Sequence, residues 1–231
     1  MRVLFVGPSL YGLSPDLTGI SVRPPARQGD IARAVLDGAE AIGLVDGFFD
    51  AVAAPWHKEI LFALERGVAM LGSSSMGALR AAECAAFGML PIGEIANDYC
   101  SGVLDDDAAV AISHGPEELG YPPLTEPLVN VKPTLDRLLQ LRLVSEAERL
   151  RLWDRACRLY FKDRSLEALV PTEERQEIAA AYREHKVNRK AADAVLLISE
   201  LKRSTLRANA LPVEPQHSSF FSKHILPGML E

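Results

Sequence analysis

The stretch VAMLGSSSMGALRAAE, residues 68–83, decides the fold. Its first four residues form an apolar run that is typical of a buried strand, and the glycine and three serines that follow are typical of a turn. The alanine-rich segment after the turn contains one arginine and one glutamate, a composition that favours a helix. This stretch therefore predicts a buried strand that passes through a sharp turn into a helix.

The same design recurs through the first half of the chain. The runs RVLFVGPS (2–9) and AIGLVDG (41–47) are also short, apolar and ended by turn residues, and the segments 29–39 and 55–67 have helical periodicity. A further apolar run, AAVAIS (108–113), predicts another strand. Strands that alternate with helices predict an α/β fold with a Rossmann-like, mostly parallel sheet and helices on both of its faces.

The character of the sequence changes near Leu124. The segments beyond it are amphipathic, charged and without strand-like runs, which predicts helices. We expect a core domain over 1–124, a helical region over 125–204 packed on the core, and a tail over 205–231. The expected seam of the helical region consists of Leu135, Leu138, Leu139, Trp153, Leu159 and Tyr160.

Charge and composition exclude several classes of protein. The formal net charge of the 231 residues is −6, and no basic stripe appears before residue 183, so we expect no nucleic-acid partner. Gly7-Pro8 ends the N-terminal apolar run too early for a signal peptide, and no apolar run is long enough to span a bilayer. We therefore expect a cytoplasmic protein without a membrane partner. The three cysteines and five histidines lack metal-ligand spacing, so we expect neither a metal nor another cofactor.

Polar residues follow several of the predicted strands. Ser9, Asp46, the serine turn 73–75 and His114 all stand at or just after a strand end. Ligands bind outside the carboxyl ends of the strands in an open parallel sheet, so we expect these residues to converge on one edge. A simple turn-forming role is the stronger alternative for Ser9, whereas for Asp46 a site and a turn cap are equally supported.

His57 stands at the start of the second predicted helix. It shares a stripe with the apolar residues Ile60, Leu61 and Leu64, so ordinary packing is one interpretation. The N-terminus of a helix disfavours imidazolium, which leaves a neutral imidazole able to act as a base. Lys58 beside it is either a solvated residue or a source of positive charge.

The serine turn has two interpretations as well. A helix N-terminus with backbone N–H groups and hydroxyls is an anion site, but a simple N-cap role for Ser74 or Ser75 is the strongest alternative. The spacing departs from the G-x-S-x-G motif of a hydrolase nucleophile elbow. Arg80 and Glu83, three residues apart on an apolar helix, form either a structural ion pair or the wall of a site.

Taken together, these motifs resemble the TfuA-like protein family. VGPSL, PPARQGD, VDGFF, WHKEIL, SSSMGALRAAE, FGM, AVAISHG and EPLVNVK occur in that family's order and at roughly its spacing over residues 3–135. KVNRKAADA extends a looser similarity into the C-terminal helices. The chain departs from the pattern at Ser73, where alanine is common, and at Lys132, where arginine is usual.

The resemblance implies a role in thioamidation of the backbone of ribosomally made peptides. Proteins of this family work with YcaO-type, ATP-dependent enzymes, and their implied task is to hydrolyse the C-terminal thiocarboxylate of a small ubiquitin-like carrier and so release sulfide. For that chemistry Asp46 would orient His57, which would activate water or the hydroxyl of Ser75.

Six further residues are expected to bind the substrate, and small residues at Gly72 and Gly77 would leave a narrow channel for the diglycine tail of the carrier. The expected binding residues are Ser74, Lys58, Arg80, Glu83, Ser9 and His114. Two alternatives are a non-catalytic adaptor that activates the YcaO enzyme and a persulfide carrier that uses Cys84. The apolar tail also allows a homo-oligomer.

Overall fold

The computed structural model describes residues 1–50, 52–171 and 176–203. Its strands are β1 (Arg2–Phe5), β2 (Ile20–Arg23), β3 (Ala41–Leu44), β4 (Ala69–Ser73) and β5 (Leu90–Ile92). Its helices are α1 (Asp30–Leu36), α2 (His57–Glu65), α3 (Met76–Cys84), α4 (Glu94–Ser101), α5 (Leu128–Gln140), α6 (Glu146–Arg158), α7 (Leu166–Leu169), α8 (Gln176–Glu184) and α9 (Arg189–Leu201). Within these described ranges, no helix is long and apolar enough to cross a bilayer. The expected tail over 205–231 lies outside them.

The five strands form one parallel sheet in the order β2-β1-β3-β4-β5. This is the flavodoxin-like order, in which the direction of strand progression reverses between β1 and β3. The predicted α/β fold with a Rossmann-like sheet is confirmed. The reversal matters because it opens a crevice between the carboxyl ends of β1 and β3.

Different parts of the chain cover the two faces of the sheet. From β2 to β5 the strands progress in one direction, and right-handed connections therefore place α1, α2 and α3 on the same face, over a core that includes Ile42, Leu44 and Met70. The opposite face packs against α9 through Ala194, Leu197, Ile198 and Leu201. Without α9, the apolar residues of β1, β3 and β4 on that face would contact water.

Contacts within the chain group it into two compact units. The first contains residues 1–105 and the described residues from Ala191 onward, and the second contains residues 106–190. Residues 106–124, which the sequence assigns to the core domain, thus group with α5–α8, and most of α9 groups with the sheet.

The seam of the second unit differs in part from the expected one. Leu135 and Leu138 of α5 are buried as expected, but their buried counterparts on α6 are Leu152 and Ala156. Tyr160 is 54% exposed. It follows the end of α6 at Arg158, so the helical periodicity that pointed it at the seam no longer applies.

The predicted strand at 108–113 is wrong. Asp107–Ala109 form a short 3-10 turn, in which the side chain of Asp106 accepts a hydrogen bond from the N–H of Ala108 at 2.8 Å. The edges of the sheet are instead β2 and β5, which the hydrophobic pattern does not reveal because most of their residues are half exposed. Pro91 in β5 is tolerated at an edge, where one side of the strand needs no partner.

Candidate functional site

Asp46 lies at the switch point of the sheet, two residues beyond the end of β3. Its side chain is 2% exposed and accepts three hydrogen bonds. The N–H of Gly7 and the N–H of Ser9 donate to Oδ2 at 2.9 and 3.0 Å, and Oγ of Ser9 donates to Oδ1 at 2.7 Å. The carboxylate therefore fixes the turn that follows β1 against the end of β3, as a buried charge with satisfied oxygens.

Ser74 extends this chain of hydrogen bonds to a third strand. Its Oγ donates to Oγ of Ser9 at 3.0 Å, and the side chain is fully buried. Ser74, Ser9 and Asp46 thus join the carboxyl ends of β4, β1 and β3. The expected convergence of strand ends on one edge is observed for these three residues.

The serine turn reverses the chain sharply between β4 and α3. Ser74 has a φ angle of +66°, and the N–H of Ser75 donates to the carbonyl oxygen of Ser73 at 2.7 Å. Ser75 occupies the N-cap position of α3, but its side chain makes no capping hydrogen bond. Oγ of Ser73 is buried and has no hydrogen-bond partner among the residues that the structure describes.

Two glycines bring the start of α3 against the sheet. A Cβ on Gly77 would lie 1.8 Å from the carbonyl oxygen of Leu44, and a Cβ on Gly72 would lie 2.2 Å from the carbonyl oxygen of Gly77. The space beside these glycines is therefore filled by backbone. It is not the channel that we expected from their small size.

A second cluster joins α2 to α3. Nε2 of His57 lies 2.7 Å from Oε2 of Glu83, and Nη1 of Arg80 donates to the same oxygen at 2.6 Å. Nε of Arg80 donates to the carbonyl oxygen of Pro55 at 2.9 Å. Partial burial opposes ionisation of Glu83, but the hydrogen bonds from His57 and Arg80 outweigh it and hold the pKa of this carboxyl below its usual value. The expected ion pair between Arg80 and Glu83 is thus formed.

The structure pairs His57 and Asp46 with other residues than the sequence suggested. Asp46 is bound by Ser9, and His57 contacts Glu83. Glu83 stands eight residues after Ser75, which corresponds to about 12 Å along a helix. Because contact with Glu83 holds the imidazole toward that end of α3, the described residues contain no hydrogen bond between His57 and Asp46. The sequence named all of these residues as candidates but did not reveal which contact which.

Glu59 is a buried carboxylate that was not among the site residues predicted from the sequence. It is fully buried and accepts from the N–H groups of Trp56 at 3.0 Å and Ala32 at 3.4 Å. Burial raises the pKa of this carboxyl despite those hydrogen bonds. Glu59 therefore ties the first turn of α1 to the start of α2 and so positions His57. The sequence did contain a signal for this role, because Glu59 stands directly before the core-facing residues Ile60 and Leu61.

The remaining candidates belong to neither of these two clusters. Lys58 is half buried in the first turn of α2. His114 belongs to the second unit, where its Nδ1 lies 2.8 Å from the carbonyl oxygen of Gly115 and its ring contacts Tyr121 edge-on. Cys84 is 1% exposed, and burial together with the charge of Glu83 raises the pKa of its thiol to about 11. Over the described part of the chain, no group of three or more potential ligands is placed to hold a metal ion.

The fold and the site together define an α/β protein in which two serine hydroxyls and a buried aspartate are linked by hydrogen bonds at the switch point of a parallel sheet. The family model of TfuA-like proteins matches residues 46–165, just over half of the chain. The chain therefore belongs to the TfuA-like protein family, as its motifs indicated. No curated protein matches it. The matched region includes Asp46, His57 and the serine turn, but Ser9 precedes it. Membership implies a role in peptide thioamidation with a YcaO-type partner.

Proposed function

We propose that this protein hydrolyses the C-terminal thiocarboxylate of a ubiquitin-like sulfur carrier and thereby supplies sulfide to its YcaO-type partner. The observation that carries the proposal is the hydrogen-bonded chain from Ser74 through Ser9 to Asp46 at the switch point. A hydroxyl connected to a buried carboxylate in that location is suited to acyl chemistry on a bound tail.

The charge of the substrate sets a further requirement. A thiocarboxylate is anionic and a poor electrophile, so attack on it needs positive potential nearby. The N-terminus of α3 supplies part of it, and Arg80 is a second source of positive charge that Glu83 offsets. Arg80 and His57 share one carboxylate, so their cluster with Glu83 is neutral when the imidazole is neutral and positive when it is protonated.

The role of His57 as the base of this reaction remains a prediction from the sequence. Contact with a carboxylate orients an imidazole and selects its tautomer, and here Glu83 occupies that position. Asp46 acts on the serine turn through Ser9. The participation of Ser75, Lys58 and His114 remains a prediction from the sequence.

Incubation with a thiocarboxylated carrier, in the absence of any YcaO enzyme, tests the proposal. We expect release of sulfide together with conversion of the carrier terminus from thiocarboxylate to carboxylate, read by intact mass. The same protein after heat denaturation is the control for spontaneous hydrolysis. Sulfide release no faster than in that control would exclude the hydrolase.

A non-catalytic adaptor is the second candidate, and a groove in the second unit supports it. The groove has a volume of about 420 Å³ and is lined along α6 by Arg151, Leu152, Asp154, Arg155, Arg158 and Leu159. Three arginines beside two leucines suit an acidic partner surface with apolar contacts. An adaptor would accelerate the YcaO reaction without releasing sulfide by itself, and Arg155→Glu would weaken that acceleration.

A further inference from the structure

Ser74 has a backbone conformation that residues with a side chain rarely adopt. Its φ angle of +66° lies in the left-handed region. The hydrogen bond from the N–H of Ser75 to the carbonyl oxygen of Ser73 closes a three-residue turn around it. A turn of this kind with positive φ at its centre is the rare, strained form of the γ-turn. Such strain persists where the surrounding structure over-determines it, and it clusters at active sites.

The packing of α3 shows what imposes this turn. Gly72 and Gly77 allow the first turn of the helix to contact the backbone of β3 and β4, since a Cβ on either would overlap a carbonyl oxygen. Strand β4 ends at Ser73 and α3 begins at Met76. The reversal from strand to helix is therefore concentrated at Ser74.

This arrangement resembles a nucleophile elbow, in which a serine sits on a strained turn between a strand and a helix. The hydroxyl of such an elbow is exposed at the top of the sheet, whereas that of Ser74 is buried against Ser9. Gly72-Ser73-Ser74 keeps the first half of the G-x-S-x-G spacing, and the second glycine is displaced to Gly77. The residue at the strained position is Ser74. The φ of Ser75 is negative, −125°.

The hydroxyl of Ser74 begins a chain of donors that ends on a carboxylate. Ser74 donates to Ser9, Ser9 donates to Oδ1 of Asp46, and two backbone N–H groups fix Oδ2. A proton that leaves Ser74 thus has an acceptor two hydrogen bonds away. Ser74 is fully buried, so this edge of the sheet must open before a substrate reaches its hydroxyl, and a diglycine tail, which has no side chains, needs the least room.

We propose that Ser74 is the nucleophile of the proposed hydrolysis and that Ser9 passes its proton to Asp46, a refinement that rests on the proposed function. Oγ of Ser74 attacks the carbon of the thiocarboxylate, its proton moves to Oγ of Ser9, and the proton of Ser9 moves to Asp46. The C–S bond then breaks with its electron pair on sulfur. The proton returns through Ser9 to the departing sulfur, which leaves as HS⁻, and the terminal glycine of the carrier becomes an ester of Ser74.

Water completes the reaction through the same groups. A water molecule attacks the ester carbon and gives a proton to Asp46 through Ser9. The bond between that carbon and Oγ of Ser74 breaks, and the oxygen of Ser74 takes the proton back. The carrier leaves as a carboxylic acid that ionises in solvent. The sequence of steps consumes one water and needs no oxidant, reductant or nucleotide.

Ser74→Gly separates catalysis from folding. Glycine adopts positive φ without strain, which offsets the lost hydrogen bond to Ser9, so this variant should melt close to the temperature of the wild type. Loss of the nucleophile should lower turnover by on the order of a hundredfold or more. Arg142→Gly is the matched control, because Arg142 also has positive φ (+58°) but is exposed in the loop between α5 and α6. It should leave turnover unchanged.

Two further measurements distinguish a proton relay through Ser9 from a purely structural hydrogen bond. Ser9→Ala should lower turnover per folded molecule, and Ser9→Thr, which keeps a hydroxyl, should restore much of it. If the hydrogen bond is purely structural, Ser9→Ala should have a lower melting temperature and normal turnover. Acid quenching of the wild type during turnover should trap the carrier ester on the tryptic peptide from Gly67 to Arg80, with fragmentation placing it on Ser74.

The possible outcomes separate this inference from the function on which it rests. A wild type that releases no sulfide removes both. Loss of turnover in Ser74→Gly with an intact fold, together with an ester on Ser74, is the expected result. If the wild type releases sulfide but Ser74→Gly keeps more than about a tenth of its turnover, the hydrolase stands and the role of Ser74 is overturned.

Discussion

Nε2 of His57 lies 2.7 Å from Oε2 of Glu83, and the two residues belong to different helices. His57 begins α2, and Glu83 stands near the end of α3, where it also binds Arg80. One carboxylate therefore joins the two helices and holds the imidazole beside the C-terminal half of α3. Glu83 thus orients His57, whereas Asp46 binds Ser9.

If His57 is the base of the hydrolysis, its replacement should impair turnover more than it impairs folding. We expect His57→Asn to lower sulfide release by on the order of a hundredfold, because general-base catalysis contributes at least that much. Glu83→Gln should cause a smaller loss, and the double variant should be little worse than His57→Asn alone, since both act on one step. Single-turnover sulfide release and thermal melts measure the two quantities. Near-normal release by His57→Asn would remove it from the chemistry.

Glu83 should also make stability depend on pH in the acid range. Its pKa in the folded chain lies below the usual 4.5, so below about that pH the unfolded chain binds more protons. The stabilisation is therefore present above pH 4.5 and lost as the pH falls through the folded-state pKa. Because Glu83 is partly exposed, the effect should be about 1 kcal/mol or less.

Urea unfolding of the wild type and Glu83→Gln, at neutral pH and in steps below pH 4.5, measures this contribution. The difference in unfolding free energy between the two proteins should shrink toward acid pH, and added salt should reduce it at neutral pH. A difference that stays constant over this range would mean that the charge of Glu83 is not what stabilises the cluster.

Ser75 and Ser145 offer a comparison of two N-cap positions. Ser145 caps α6 with its side chain, which accepts from the N–H of Glu148, while the carboxylate of Glu148 accepts from the N–H of Ser145 at 2.8 Å. Ser145→Ala should therefore lower the unfolding free energy by about 1 kcal/mol. Ser75 makes no such bond, so Ser75→Ala should cost less than about 0.5 kcal/mol. Equal shifts of the denaturant midpoint would contradict this distinction.

The central strands were predictable from the sequence, and the edge strands were not. β1, β3 and β4 are covered on both faces, so nearly every residue is apolar and the runs stand out. β2 and β5 are partly exposed and leave no such run. The pattern of α9 marks an amphipathic helix, but a pattern does not identify its partner, which lies more than a hundred residues earlier in the chain.

The candidate site was predictable in its residue types and not in its pairings. The rule that ligands bind at strand ends located Ser9, Asp46 and the serine turn. Which hydroxyl points at which acid depends on the twist of the sheet and on the close approach allowed by Gly77. The positive φ of Ser74 was hidden for a related reason, because serine has no preference for that conformation and adopts it only under tertiary constraint.

Cys84 should be chemically inert in the folded protein. It is buried, and a thiol with a pKa of about 11 carries little thiolate at neutral pH. Iodoacetamide should therefore modify the exposed Cys100 and Cys157 in the native state and Cys84 only after unfolding. Sulfide release by Cys84→Ser should remain near normal. Rapid native-state labelling of Cys84, or loss of sulfide release in a folded Cys84→Ser variant, would support the alternative that the protein is a persulfide carrier.

Asp46 and Asp193 provide a matched pair of buried carboxylates. Asp46 accepts from two backbone N–H groups and one hydroxyl, and Asp193 accepts from the N–H groups of Glu94 and Ile95 at 3.1 and 2.8 Å. Replacement by asparagine turns an NH₂ group toward donors in either case. Each variant should therefore lose about 1–3 kcal/mol of unfolding free energy.

Asp46→Asn and Asp193→Asn should differ in turnover although they lose a similar amount of stability. Asp46→Asn removes the proton acceptor at the switch point, so sulfide release per folded molecule should fall by on the order of a hundredfold. Asp193 lies on α9 and fixes the start of α4, so Asp193→Asn should keep near-normal release. Denaturant unfolding gives the folded fraction at which each rate is compared. Equal loss of turnover in both variants would indicate that Asp46 contributes to the fold alone, because general destabilisation would then explain the result.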